Sequence, residues 1–94
     1  MFQIDELRWT EWAEDHILAR HQVILDEVEE AVANRTYGRR EGKFYLVFGK
    51  TDAGRHLKIV LGREDEGVWR VVTAMDATIT EQRRAKPKSR KGAR

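Results

Sequence analysis

The spacing of apolar residues changes once along the chain, from about 3.6 residues to about two. In the first third, apolar residues recur at helical spacing and predict one helix over about residues 10–20 and another over about 25–33. From Phe44 onwards, apolar and polar residues alternate as they do in β-strands. The pattern therefore predicts a small α+β domain in which two helices precede a sheet.

Three strands are predicted to form an antiparallel sheet after a basic loop over residues 34–43. Their expected bounds are Phe44–Thr51, Arg55–Gly62 and Val68–Ala74. The segment Asp52–Gly54 ends in glycine, which is typical of a three-residue hairpin loop. Phe2 and Ile4 alternate with polar residues and can add a short edge strand, so the sheet is expected to have three to four strands.

A capping box marks the start of a third helix near the end of the sequence. Thr78 and Glu81 have the spacing in which each side chain accepts a hydrogen bond from the backbone N–H of the other residue. The helix is expected to end before Pro87. Residues 86–94 are basic and almost free of apolar side chains, so they are predicted to be a disordered tail. Residues 1–85 are accordingly expected to form a single domain.

The composition limits the kind of protein this can be. Its 94 residues allow one small hydrophobic core, and the absence of cysteine excludes a disulfide or a thiolate–metal site. A chain without cysteine suits a reducing cytosol. The acidic start, Met1–Glu6, lacks the features of a signal peptide, and no run of about 18 apolar residues indicates a membrane helix. We therefore expect a cytoplasmic protein that a partner stabilises.

The charges are strongly segregated along the chain, although the net charge is only +2. Residues 1–33 carry nine acids and two arginines, whereas residues 83–94 carry seven Lys/Arg and no acid. Basic segments attract polyanions or acidic protein surfaces. The basic end therefore indicates contact with nucleic acid, or else a segment that serves only solubility.

Strand alternation across the predicted hairpin brings a group of basic side chains to one face. If Asp52–Gly54 forms the loop, Lys50 lies opposite His56, and Lys58 lies beside them. A histidine between two lysines can transfer protons near neutral pH while the lysines hold phosphates. The other cations within reach are Arg55 at the rim of the opposite face and Arg83 and Arg84 on the last helix. Each of these residues can equally be a solvated charge that discourages edge-to-edge aggregation.

The remaining histidines and the tryptophans indicate structural roles. His16 and His21 are five residues apart, so a helix does not place them side by side, and with His56 they form no recognisable metal-ligand spacing. No metal site and no cofactor are therefore expected. We expect His16 to pack with Trp12, His21 to close the first helix, and Trp9 and Trp12 to lie in the core rather than to stack on bases.

Several short strings occur in a fixed order over most of the chain. They are Phe2–Asp5, Arg20–Val23, Asp26–Ala31, Gly49–Arg55 and Arg70–Thr78, followed by Glu81 and Arg83–Arg84. Together these strings, over residues 2–84, resemble the BrnT group of bacterial type II toxins, which are small ribonucleases with a RelE-like fold. The resemblance implies a RelE-like α+β domain with the element order (β)-α-α-β-β-β-α.

The resemblance also implies a function. Toxins of this kind are metal-independent endoribonucleases of the bacterial cytoplasm, and an antitoxin protein neutralises them. Cleavage of RNA by attack of the 2′-hydroxyl needs a proton acceptor, cations and a proton donor at the phosphate. The candidates for the catalytic group are His56, Lys50, Lys58 and Arg83. The candidates for RNA binding are Arg55, Arg84, Lys86 and Lys88. RNA and an antitoxin are thus the expected partners, without a membrane or a small-molecule cofactor.

Two departures from the family pattern leave a second interpretation open. His21-Gln22-Val23 stands where the family usually has a His-Gly-Val turn, which concerns only the turn. Met75 stands where many members have an arginine of their proposed active site, and a methionine cannot neutralise a phosphate. The alternative is a catalytically silent binding module of the same fold that binds a protein partner or nucleic acid.

Overall fold

Within residues 3–85, which the computed structural model describes, a five-stranded sheet carries three helices. In chain order the elements are β1 (Glu6–Arg8), α1 (Glu11–His21), α2 (Leu25–Ala33), β2 (Tyr37–Glu41), β3 (Phe44–Lys50), β4 (His56–Asp65), β5 (Val68–Asp76) and α3 (Ile79–Arg84). The strand order across the sheet is β1-β5-β4-β3-β2. The predicted α+β class is confirmed, and α2 has the predicted bounds. The predicted tail, residues 86–94, lies outside the described residues.

Strand β2 corrects the prediction of a basic loop over residues 34–43. Tyr37 pairs with Phe48, and the antiparallel ladder continues to Glu41 opposite Phe44. Gly42 makes the tight turn between the two strands with a positive φ of 62°. This segment lies at the edge of the sheet and carries charged side chains that keep such an edge from pairing with another chain. The apolar alternation that marks the other strands is therefore weak in β2.

Strand β1 also differs from the expectation. It lies at Glu6–Arg8 and does not include Ile4, whereas Phe2 is outside the described residues. It runs parallel to β5, so the sheet is mixed and not wholly antiparallel. The N–H groups of Asp5 and Glu6 both donate to the Gly67 carbonyl, at 2.8 and 3.0 Å. These bonds fix the start of β1 against the turn before β5.

One face of the sheet, here called the closed face, is covered by α1 and α2. The alternate β4 residues Leu57, Ile59 and Leu61 point into this core and are each 0% exposed. Ile17 of α1 and Val28 of α2 pack against them. Full burial of a side chain of this size stabilises the fold by about 1.5–3 kcal/mol. The closed face therefore holds the sheet and the two helices together.

The opposite face, here called the open face, carries His56, Lys58 and Val60 of β4. Helix α3 covers only one end of it, where Phe48, Ala77 and Ala85 form a second, smaller buried cluster. Val60 and its cross-strand neighbours Leu46 of β3 and Thr73 of β5 are only half-buried. No helix among residues 3–85 has the length and apolar composition to cross a membrane.

Candidate nucleic-acid interface at the central hairpin

The turn between β3 and β4 fixes the register of the candidate site. Thr51 is 3% exposed, and its N–H donates to the Arg55 carbonyl at 2.8 Å while its hydroxyl accepts from the Arg55 N–H at 2.9 Å. Gly54 takes a positive φ of 101°, which suits glycine in this position. As a result Lys50 lies directly opposite His56, as predicted, and both side chains are exposed.

Lys58 lies on the open face with Lys50 and His56, but its charge is already paired. Its Nζ atom lies 2.8 Å from Oε2 of Glu81, and the two side chains are only 22% and 24% exposed. The Lys58 ammonium, together with the Thr78 backbone N–H, lowers the pKa of the Glu81 carboxyl. The ion pair attaches α3 to β4. Lys58 therefore holds the helix in place and also adds positive charge to the open face.

Local capping places α3 beside the hairpin. The predicted capping box is present, with the Glu81 N–H donating to the Thr78 hydroxyl at 3.1 Å and the Thr78 N–H donating to Glu81 Oε1 at 2.9 Å. At the other end of the helix, the Thr36 hydroxyl donates to the Ala85 carbonyl at 2.8 Å. The helix is therefore fixed at both ends. Arg83 and Arg84 lie in its last turn, and both are exposed.

A cleft of about 230 Å³ lies between α3 and the ends of β3 and β4. Its lining residues are Thr36, Phe48, Gly49, Lys50, His56, Leu57, Ala77, Gln82 and Ala85. The apolar side chains among them are buried, whereas Lys50 and His56 are exposed. The site thus combines an apolar cleft with an exposed ammonium and an exposed imidazole on its lining.

Arg55 does not join these residues. It lies at the rim of the closed face, as predicted, where its guanidinium donates to Asp76 at 2.7 and 3.2 Å and to Glu27 at 3.2 Å. It also donates to the carbonyls of His21 and Gln22, at 3.0 and 2.8 Å, at the end of α1. Arg55 lowers the pKa of Asp76, and Asp76 raises the pKa of Arg55. These contacts favour a structural role for Arg55.

The basic candidates in the tail, Lys86 and Lys88, lie outside the described residues. Two further cations belong to the open face and were missed by the sequence reasoning. Arg39 of β2 lies opposite Leu46, and Arg70 of β5 lies opposite Gly62. Arg39 was missed because β2 was predicted to be a loop. Arg70 lies in a segment that was predicted to be a strand, so the alternation of side chains along β5 could have placed it on the open face.

The tryptophans and histidines of α1 lie apart from the hairpin cluster. Trp12 stacks on His16 with ring centroids 4.7 Å apart, which confirms their predicted contact. The prediction that Trp12 lies in the core is wrong, because it is 69% exposed; only Trp9 packs partly against the core. His21 ends α1, and its ring meets that of His16 edge to face at 6.5 Å, closer than the spacing suggested. Among residues 3–85 there is no group of three or more His, Asp or Glu residues that could hold a metal ion.

Met75 occupies the position on β5 directly opposite Lys58. It is half-buried on the open face, next to the Lys58–Glu81 ion pair. Its thioether adds no charge there. Within the described residues, the positive charge close to the cleft therefore comes from the hairpin and from α3 rather than from β5.

The described residues thus form a small α+β domain in which the short helix α3 packs against a mixed sheet next to the basic hairpin. Among solved structures, that of the Brucella abortus ribonuclease toxin BrnT, determined at 1.1 Å resolution, is similar to this chain with a TM-score of 0.65. The match covers 78% of this chain and 96% of the toxin chain, at 12% sequence identity. No protein-family profile and no curated protein sequence matches the chain. The chain therefore has the fold of the BrnT toxin with a strongly divergent sequence.

Proposed function

We propose that this protein is a toxin-like, metal-independent endoribonuclease with its active site at the β3–β4 hairpin. The observation that carries the proposal is the exposed pair of Lys50 and His56 at a cleft, on a fold shared with a ribonuclease toxin. Directly opposed residues on antiparallel strands have Cβ atoms about 4.5–5.5 Å apart. Both side chains can therefore contact one phosphodiester.

The reaction divides between a proton-transfer group and cations. The RNA 2′-oxygen attacks the adjacent phosphorus and loses its proton, the bond from phosphorus to the 5′-oxygen breaks, and that oxygen gains a proton. His56 is the proposed proton-transfer group, because an imidazole ring can both accept and donate a proton. The Lys50 ammonium stabilises the negative charge that develops on the phosphate. The products are a 2′,3′-cyclic phosphate and a 5′-hydroxyl.

Lys58 and the arginines of α3 have supporting roles in this proposal. Lys58 is bound to Glu81, so it acts on the phosphate mainly through its field and through the position of α3. Arg83 completes the catalytic group from the last turn of α3, and Arg84 binds a flanking phosphate. Lys86 and Lys88 extend this contact along the RNA. Removal of residues 86–94 is then expected to flatten the dependence of RNA affinity on salt, because fewer counterions are released on binding.

The proposed protein partner is an antitoxin in the bacterial cytoplasm. The open face and α3 present Lys50, Arg83 and Arg84, so an acidic or amphipathic segment suits this surface. Such a segment would cover the hairpin and prevent RNA from entering. Mixing the protein with a candidate antitoxin should abolish cleavage in proportion to complex formation.

The direct test is cleavage of single-stranded RNA by the purified protein in EDTA. We expect cyclic-phosphate products from the wild-type protein and far less product from a Lys50→Ala/His56→Ala double variant that unfolds at the same urea concentration. Lys43→Ala removes an exposed cation at the other end of β3 and serves as the control. Intact RNA at high concentrations of the wild-type protein would remove the enzyme assignment.

A catalytically silent binding module is the second candidate. The neutral Met75 and the pairing of Lys58 with Glu81 favour it, because both reduce the free positive charge available to a phosphate. Such a module binds RNA or a protein without turnover. Induced expression separates the two functions, because a ribonuclease toxin should arrest growth and a silent module should not.

A further inference from the structure

We propose that the cleft between α3 and the hairpin is a subsite for a single nucleobase, and that Gln82 hydrogen-bonds the edge of that base. This inference rests on the proposed function, because it assigns a ligand to the cleft beside Lys50 and His56. It goes further in stating which part of the RNA enters the protein and which residue recognises it.

The size and lining of the cleft suit one aromatic ring. Its volume of about 230 Å³ lies below the range of about 300–1,000 Å³ that pockets for drug-sized ligands occupy. Phe48 and Leu57 form part of the apolar lining and are 4% and 0% exposed. An aromatic base that leaves water for such a cleft gains from burial, and the stacking of bases on protein surfaces tolerates any sequence.

Three contacts within the protein fix the position of α3 against the sheet and so hold the cleft open. Lys58 is bound to Glu81 at 2.8 Å, and the Thr36 hydroxyl donates to the Ala85 carbonyl at 2.8 Å. The Ala77 N–H donates to the His56 carbonyl at 3.0 Å. These contacts join α3 and its preceding turn to β4 and to the residue just before β2. The cleft is therefore formed before RNA binds, which lowers the entropic cost of binding.

The side chain of Gln82 provides a polar group beside the buried apolar residues of the lining. Its Nε2 atom donates to the Ala77 carbonyl at 3.1 Å. Because a carbonyl only accepts hydrogen bonds, this contact fixes which end of the carboxamide is nitrogen. The acceptor Oε1 is then available to the ligand, and the half-buried Gln82 requires an N–H group on the edge of the base.

The position of the cleft agrees with a nucleotide that spans it and the hairpin. Lys50 and His56 belong to the same lining as Gln82 but are exposed to solvent. A phosphodiester held by these two residues leaves an adjoining base next to the apolar part of the cleft. The phosphate contacts then supply affinity, whereas the cleft discriminates nucleotides by their bases.

The test measures the binding of 2′-O-methyl RNA oligonucleotides, which lack the attacking hydroxyl and so report binding without cleavage. The oligonucleotides carry uracil, 5-methyluracil, 3-methyluracil or an abasic residue at one position that is moved along the strand. We expect the abasic residue to weaken binding by about tenfold at one position only. At that position, 3-methyluracil, which lacks the N3–H donor, should bind about fivefold more weakly than its isomer 5-methyluracil.

Gln82→Ala should remove the difference between the two methyl isomers while the abasic effect remains. Thr80→Ala, on the exposed side of the same helix, should preserve both effects.

Equal affinity for abasic and uracil oligonucleotides at every position overturns the subsite, and an isomer difference that survives in Gln82→Ala overturns the role of Gln82. If base-dependent binding is present and cleavage in EDTA is absent, the proposed catalysis fails while this inference stands. If RNA is cleaved but its binding does not depend on the base, the proposed catalysis stands and this inference fails. The cleft then suits a protein ligand.

Discussion

The closed and open faces of the sheet are built from the same strands but serve different purposes. On β4, Leu57 and Ile59 are completely buried under α1 and α2, whereas His56 between the turn and Leu57 is exposed. Successive residues of a strand point to opposite faces, so one strand can hold the core with one set of side chains and present chemistry with the other. This alternation separates the side chains that stabilise the fold from those that can contact a ligand.

The hairpin shows the same contrast in its cations. Arg55 is bound to two carboxylates and two helix carbonyls on the closed side, and Lys50 is exposed on the open side. The two residues are five positions apart in the sequence. A cation close to a turn is therefore not by itself a ligand-binding group. What its charge is used for depends on the elements that surround it.

The largest expected contrast between the faces concerns the two histidines His56 and His21. His56→Ala should reduce the rate of RNA cleavage by about 10²- to 10⁴-fold, the range for the loss of a general acid–base group. His21→Ala, at the end of α1 on the closed side, should leave the rate almost unchanged. Single-turnover cleavage in EDTA measures both. Similar losses for the two variants would show that the active site lies elsewhere.

A matched pair of leucines tests the stability of the two faces. Leu61→Ala creates a cavity in the closed core and should lower the free energy of unfolding by about 2–5 kcal/mol. Leu46 is half-buried on the open face, so Leu46→Ala should cost about 1 kcal/mol. Urea denaturation measures both values, provided that the m-value is unchanged. A larger loss at Leu46 would contradict the assignment of the main core to the closed face.

Substitution of the two hairpin cations should affect different properties. Arg55→Ala leaves Asp76 and Glu27 without their partner, and we expect a loss of about 1.5–3 kcal/mol in the free energy of unfolding. Lys50→Ala should change this free energy by less than about 0.5 kcal/mol. Arg55→Lys retains the charge but not the planar fork, so it should recover only part of the loss. An unaltered stability of Arg55→Ala would remove its structural role.

The smallest effect is the pH dependence of the Lys58–Glu81 pair. The pKa of Glu81 is lowered below its usual 4.5 in the folded chain, so the ionised form is favoured by folding. Its contribution is therefore complete above that pH and disappears as the pH falls through the lowered value. Glu81→Gln keeps the capping bond and should lower the unfolding free energy by about 0.5–1 kcal/mol at neutral pH. The difference from wild type should vanish in acid, whereas the exposed Glu29→Gln should show little difference at either pH.

Several elements could be predicted because their signals are local. The capping box of α3 needs only Thr78 and Glu81, and the pairing of Lys50 with His56 needs only a three-residue turn. The alternation that separates Leu57 and Ile59 from Lys58 is also readable along a single strand. Each of these features depends on residues within a few positions of one another. The sequence therefore identifies the candidate site without the tertiary structure.

The errors arose where a distant partner decided the outcome. β2 forms a strand because β3 offers it a ladder, although its own sequence is charged and short of apolar residues. β1 pairs with β5 through residues more than sixty positions away, as in the pairing of Glu6 with Val68. Trp12 is apolar and at helical spacing, but α1 turns Ala13 and Ile17 towards the sheet instead. Helical periodicity identifies an apolar side of a helix without stating how much of that side a sheet covers.

The sequence by itself determined the α+β class, the caps of α3 and the register of the central hairpin. Only the tertiary structure decided which cations remain available for a ligand. Arg55 donates to groups between 21 and 34 residues away along the chain, and Lys58 meets Glu81 on a separate helix. Caps, turns and strand alternation act over a few bonded residues, whereas the pairing of a charge depends on elements that meet only after folding.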